Sequence, residues 1–279
     1  MYQLVIFEIL LWAGAFLLLF GYISDYRKHH FRIAGYLLLG IFWVGEAPHY
    51  FEIGDNFNAI LVIIALPLFA YFAYHESLSK KWAEDPEVMR FLAGGISIAT
   101  IIYFGVQRIP IIAGGLIWIV TEHTVILSNL IGYEFGVGET YYAGNPLFYR
   151  TNYEDILVSI DGTSINIILA CTGLQAMAPG FSLVYCTSAK LKAKLLSIFI
   201  IIPSIYVANL GRNVMIIYLT VEDIVSFDVA HNEIAKTGSV IFLIILLIIV
   251  FELMPKFHDN IMSVITLPKR EPNHQKQQE

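Results

Sequence analysis

Charge is scarce in this sequence. Of its 279 residues only 14% are Asp, Glu, Lys or Arg, where a soluble domain carries about a quarter. No basic block is present and the net charge is −6, which excludes the electrostatic footprint of a nucleic-acid partner. Cysteine is equally rare. Cys171 and Cys186 are the only two. Helical sequence between them would hold their Cα atoms far beyond disulfide reach. Two thiols without clustered histidines are not a zinc signature, and no metal or organic cofactor site is legible. No internal repeat is visible, and the first apolar run has neither the basic flank nor the small-residue cleavage site of a signal peptide.

Apolar residues are what the chain has in excess. They make up 57% of it, and the mean hydropathy is +0.67. A helix crosses a bilayer with about 20 such residues. Segments of that kind lie near 4–23, 33–51, 57–74, 91–108, 111–131, 166–185, 195–219 and 234–254. The expected fold is therefore all-α and polytopic, with seven or eight transmembrane helices. Segment 111–131 is the doubtful span, because Thr121, Glu122, His123, Thr124, Ser128 and Asn129 interrupt it. Lys and Arg in 24–32, in 186–194 and after Pro255 mark cytoplasmic loops. They leave 132–165 and 220–233 outside.

Region 132–165 reads as a small extracytoplasmic cap. Ile156 to Ile160, then Asp161-Gly162, then Thr163 to Leu169 has the pattern strand, two-residue turn, strand, with the second strand running directly into Ala170-Cys171. The expected organisation is N-terminal membrane helices over 1–131, the cap with its hairpin over 132–165, catalytic membrane helices over 166–254, and a mobile polar tail over 255–279.

Ionisable groups in membrane segments are costly and default to functional candidates. Cys171 is expected to open the helix after the cap, where a helix N-terminus favours the nucleophilic thiolate. Read conservatively, it is a small buried hydrophobe, as Cys186 is taken to be. Arg212 sits in Asn209-Leu210-Gly211-Arg212-Asn213, with long apolar runs on either side. Snorkelling is its bland explanation, but Asn209 and Asn213 share its face and suggest a cavity. His231 precedes the last helix and titrates near neutrality; alone, it reads as a loop histidine. Lys236 is a second cation deeper in the same helix. Thiol, guanidinium and imidazole together have the logic of acyl transfer, with Cys171 as nucleophile, Arg212 stabilising oxyanion or thiolate, and His231 moving protons. Thr172, Gly173, Gln175, Asn209, Asn213 and Lys236 are the supporting residues.

Ala170-Cys171-Thr172-Gly173-Leu174-Gln175, then Asn209-Leu210-Gly211-Arg212-Asn213, then His231 before a final helix resemble the exosortase/archaeosortase family, above all its archaeal branch. The resemblance has motif-level detail over roughly 130–250. It implies a cysteine peptidase and transpeptidase of the cell membrane, in an archaeal host, with its active site on the extracytoplasmic side. Its partners would be secreted proteins, such as surface-layer glycoproteins, bearing a C-terminal signal of short motif, helix and basic tail. In the archaeal branch the motif is Pro-Gly-Phe, and a membrane phospholipid accepts the new C-terminus. Cys171 would then form the thioester and Arg212 would be the family's required arginine. The third position is histidine in many exosortases and arginine in some archaeal relatives; here it falls to His231 or Lys236. A secondary transporter using Glu46, Glu122 and Arg212, or a non-enzymatic envelope scaffold, is the alternative reading.

Overall fold

The computed structural model describes residues 2–52, 54–137, 141–143, 152–159 and 164–272. Its helices are α1 (Tyr2–Ile23), α2 (Lys28–Gly45), α3 (Ala47–Glu52), α4 (Asn56–Trp82), α5 (Glu87–Arg108) and α6 (Pro110–Leu130). Strands β1 (Phe135–Val137), β2 (Tyr141–Ala143), β3 (Asn152–Ser159) and β4 (Ser164–Ile167) follow, then a 3₁₀ turn over Leu169–Thr172. The chain ends in α7 (Leu174–Cys186), α8 (Leu191–Val221), a π-helical turn at Val229–Ile234, α9 (Ala235–Leu253) and α10 (Pro255–Ile265).

Among the described residues, six helical segments are long and apolar enough to cross a membrane: Val5–Ile23, α4, α5, α6, α8 and Val229–Leu253. The chain is a polytopic membrane protein. Segment 111–131 falls in one uninterrupted helix of that kind, in which Thr121 and Thr124 donate their hydroxyls to the carbonyls of Ile117 and Val120, while the buried Ser128 hydroxyl has no partner among the described residues. The other two expected spans differ in form. Segment 33–51 is divided between α2 and α3 at Glu46. Segment 166–185 begins in β4, passes through the 3₁₀ turn and leaves only 13 residues to α7.

Contacts divide the chain into two compact units, Met1–Ile101 with Ser182–Ala189 and Pro255–Glu279, and Ile102–Phe181 with Lys190–Met254. In the first unit α1 packs on α2 and α2 on α4. Leu11, Ala15, Leu18, Tyr36, Leu39, Phe69 and Phe72 are buried there. Lipid tails are as apolar as leucine, so close packing carries helix association in a membrane. Gly35 permits it: a Cβ there would lie 2.9 Å from the Gly14 carbonyl oxygen and from the Leu18 nitrogen.

A buried ion network closes one end of this unit. Arg32, 1% exposed, donates to the Gly21 carbonyl at 2.8 Å, to Asp85 at 2.6 Å and to Glu76 at 3.4 Å. Lys28 donates to the second Asp85 oxygen at 2.8 Å, and His29 Nδ1 lies 2.6 Å from Glu76. Burial raises the Asp85 carboxyl, but hydrogen bonds from Lys28 and Arg32 outweigh it and hold the group below the usual carboxylate range. The bond to Asp85 holds Lys28 above its ordinary value.

Within the segment expected as a mobile polar tail, residues 255–272 are described and the first of them are helical. Apolar spacing there builds α10 and buries Phe257 and Leu267. Phe257 packs edge-on against Phe91 at 6.0 Å. Arg270 then donates to Ser79 at 2.8 Å and Glu84 at 3.2 Å, and lies over the Trp82 ring. Residues 273–279 lie outside the described residues.

The second unit holds α6, the strands, the 3₁₀ turn, α8 and α9. β3 pairs antiparallel with all three other strands, in the registers Gly136↔Val158, Tyr142↔Tyr153 and Leu157↔Ile165. The strand before the expected turn thus begins earlier, at Asn152, and the one after it ends at Ile167, while the Asp161-Gly162 turn itself lies outside the described residues. β1 and β2 were not foreseen in the Gly- and Tyr-rich stretch. Asn129 ties the cap to α6 by donating to the Phe135 carbonyl at 3.0 Å and accepting from its N–H at 2.8 Å. Below it Ile117, Val120, Phe135, Ile167, Leu174 and Leu210 form one core, and Cys171 packs on it.

Candidate functional site

Cys171 does not open α7. It lies in the Leu169–Thr172 turn, which Gly173 separates from the helix with φ +80°. That left-handed angle suits glycine alone without strain. A Cβ at Gly173 would also press to 3.2 Å on the Asn209 side chain. Extended Ile168 leads into the turn, and the Cys171 N–H donates to its carbonyl at 2.7 Å. Thr172, fully buried, donates its hydroxyl to the Leu169 carbonyl at 2.7 Å and accepts from the Leu174 N–H at 3.4 Å. A short 3₁₀ turn holds itself poorly, and these bonds fix it.

α8 supplies the rest. The Arg212 guanidinium lies beside the Cys171 thiol, as does the Ile168 backbone. Two influences on the sulfur oppose one another: loss of water disfavours the thiolate, and the adjacent cation favours it. Asn209 and Asn213, one turn apart on the same helix, both donate to the Cys171 carbonyl, at 2.6 and 3.1 Å. Gln175, one residue into α7, donates to the Tyr103 hydroxyl at 3.2 Å.

His231 belongs to the element before α9. It stacks on Phe227 at 5.4 Å and lies 3.2 Å from the Asn232 side-chain oxygen, in the π-helical turn before α9. Ile168 and Arg212 are the groups that act on the thiol. Lys236 is half-buried one residue into α9. His123, noted in the sequence beside Glu122, meets the Tyr206 hydroxyl at 2.6 Å.

A groove of about 300 Å³ runs from this site between α8 and α9. Gly173, Asn209 and Arg212 line one end, and Ala235, Gly238 and Phe242 line the α9 wall. Beyond Gly173, Asn209 and Arg212, single residues gave no reason to choose the other lining positions. A spacing did exist: Gly173 and Ala176, Ala208 and Gly211, Ala235 and Gly238 are pairs of small residues three apart, one pair per element, and all six line the groove. Outside it Val207, Val240 and Ile241 are exposed, as lipid-facing side chains would be. A larger hollow of about 610 Å³ lies in the first unit, but Asp85, Glu84 and Arg270 in its wall are already ion-paired and it holds no thiol. Among the described residues no three His, Cys, Asp or Glu side chains are grouped to hold a metal ion.

The arrangement thus offers a partly accessible thiol, a guanidinium on its sulfur, and an apolar groove leading away from both. The curated relatives include archaeosortase A of Natronomonas pharaonis, 24% identical over 220 residues, or 75% of this chain and 65% of the relative. Archaeosortase A of Haloferax volcanii is 24% identical over 198 residues, or 66% of this chain and 60% of that one. The chain therefore spans under two thirds of the length of these relatives. No solved structure matches it. The family described as transmembrane exosortase (Exosortase_EpsH) matches residues 4–251, nearly the whole chain, and the protein is a member of that family.

Proposed function

We propose that the protein is a membrane-embedded cysteine peptidase and transpeptidase. It removes the C-terminal sorting signal of secreted proteins, of the Pro-Gly-Phe type, on the extracytoplasmic side of the cell membrane. The observation that carries this reading is the Cys171 thiol held against Arg212 at the end of the groove. Membership of the exosortase family and the names of the archaeal relatives support it.

In this reading the Cys171 thiolate attacks the carbonyl carbon of the scissile peptide bond. A C–S bond forms, and Arg212 neutralises the charge that moves to oxygen. The C–N bond then breaks, and the departing amine takes a proton from His231, with Lys236 as the second candidate carrier. A thioester on Cys171 remains. An amine or hydroxyl of a phospholipid headgroup attacks it, the C–S bond breaks, the attacking group's proton returns to the carrier, and the thiolate is restored. A groove that excludes water favours this transfer over hydrolysis.

The test is a reporter ending in Pro-Gly-Phe, an apolar helix and a basic tail, expressed with the native enzyme or with Cys171→Ala. Native enzyme shortens the reporter and the variant, accumulated equally in the membrane, leaves it intact. Equal shortening by both would remove Cys171 from the chemistry. Retained biological function in Cys171→Ala would instead favour a transporter or scaffold.

A further inference from the structure

We infer that Asn209 and Asn213 are positioning residues that lock the turn bearing Cys171 onto α8 and thereby hold the thiol against Arg212. The inference deepens the peptidase reading and rests on it for its functional meaning. Three facts carry it. The carbonyl of the nucleophile residue, and not of a neighbour, receives both amides, at 2.6 and 3.1 Å. Asn213 is 3% exposed, so water cannot replace its bond. The two amides and the guanidinium belong to adjoining turns of one helix, so the same rigid segment grips both the backbone and the sulfur of Cys171.

The local geometry explains why such a grip is required. The Cys171 carbonyl stands near the end of a four-residue 3₁₀ turn, where carbonyls lack helical partners. Gly173 then turns the chain away with φ +80°. The turn's own bonds set its internal shape but none of them reaches the Cys171 carbonyl, so without the amides the turn is free to pivot as a unit and carry the sulfur off Arg212. A side chain that acts in this way changes the reactivity of the thiol and not the affinity for substrate.

Alkylation of Cys171 by iodoacetamide reads this directly, in full-length protein carrying Cys186→Ala so that one thiol reports. Asn209→Leu and Asn213→Leu keep the side-chain size and remove the donor. Each is expected to shift the pH profile of alkylation upward. Together they should slow the reaction at neutral pH by about tenfold, the factor that one to two hydrogen bonds carry. In Arg212→Gln the same changes should have no further effect, since the partner they serve is gone. With reporter, kcat falls in both leucine variants, and KM stays in Asn213→Leu, whose buried side chain is outside the groove lining. Asn209→Ser and Asn213→Ser, which retain a donor, should recover part of the rate. An unchanged alkylation profile in folded leucine variants overturns the inference, and so does a shift of equal size in Arg212→Gln. If neither leucine nor serine variants accumulate, the amides serve folding alone and the inference falls. Alkylation uses no sorting signal, so a reporter left unprocessed by native enzyme would count against the peptidase reading while these results still decide this one.

Discussion

An arginine cannot shed its proton to suit an apolar helix, so Arg212 needs a partner or water. Its partner is a thiol, an unusual choice unless negative charge forms there or beside it. Arg212→Lys keeps the charge but loses the planar fork, and reporter processing should fall by about tenfold or more if the guanidinium serves sulfur and oxyanion together. Arg212→Gln should cost about 10²–10³, the scale of a lost oxyanion donor. Full activity in Arg212→Lys would reduce its role to charge alone. Cys186 is the control. It is buried in the first unit, its sulfur 2.7 Å from where a Cβ on Gly94 would stand, so Cys186→Ala should leave processing within about twofold and cost stability as other small core truncations do. Measured melting and reporter turnover separate the two effects.

At the scale of elements, close helix approach in the first unit depends on Gly35. Gly35→Leu puts a branched side chain where backbone atoms of α1 stand at 2.9 Å. Backbone cannot yield as a side chain can, so about 1–3 kcal/mol of stability should be lost, seen as a lower melting temperature in detergent. The long helices were legible because twenty apolar residues permit little else in a bilayer. The turn at Cys171 was not. Ile167-Ile168-Leu169-Ala170-Cys171 is apolar enough to continue into a helix, and the helix was accordingly expected to start there. Gly173, held at positive φ with Asn209 against it, breaks that continuity, and only a contact 36 residues away along the chain reveals it. The pairing of Cys171 with Arg212 was readable as residue types in shared polar surroundings. The groove was not, since small residues three apart have meaning only once three elements converge. α10 was missed because a short amphipathic stretch after Pro255 resembles polar tail in composition, while its burial comes from Phe257 and Leu267 finding partners far away in sequence.

At the scale of the whole molecule, the ion network in the first unit joins α2, α4, the loop at Asp85 and the end of α1, and Arg270 binds the C-terminal segment to α4. Glu76→Ala leaves Arg32 buried with half its counter-charge, which should cost roughly 3–5 kcal/mol and lower the amount of folded protein in the membrane. The pH dependence follows from Asp85 and Lys28. The folded pKa of Asp85 lies below its unfolded value, so its contribution is complete above about pH 4 and is lost as pH falls through the folded value. That of Lys28 lies above its unfolded value, so its contribution is complete below about pH 10 and is lost as pH rises through the folded value. Melting should therefore be level near neutrality and drop in acid below about pH 4. Asp85→Asn should lower the plateau and flatten the acid limb; an unchanged acid limb would show that other carboxylates set it.

The central claim is a covalent one, that Cys171 carries the substrate as a thioester. The most direct measurement is mass spectrometry of the Cys171 peptide from enzyme quenched during reporter processing, with and without neutral hydroxylamine. The account predicts an acyl adduct on Cys171, ending at the cleaved motif, that hydroxylamine removes and that Arg212→Gln diminishes. Continued processing with no adduct on Cys171, or an adduct on another residue, would contradict it.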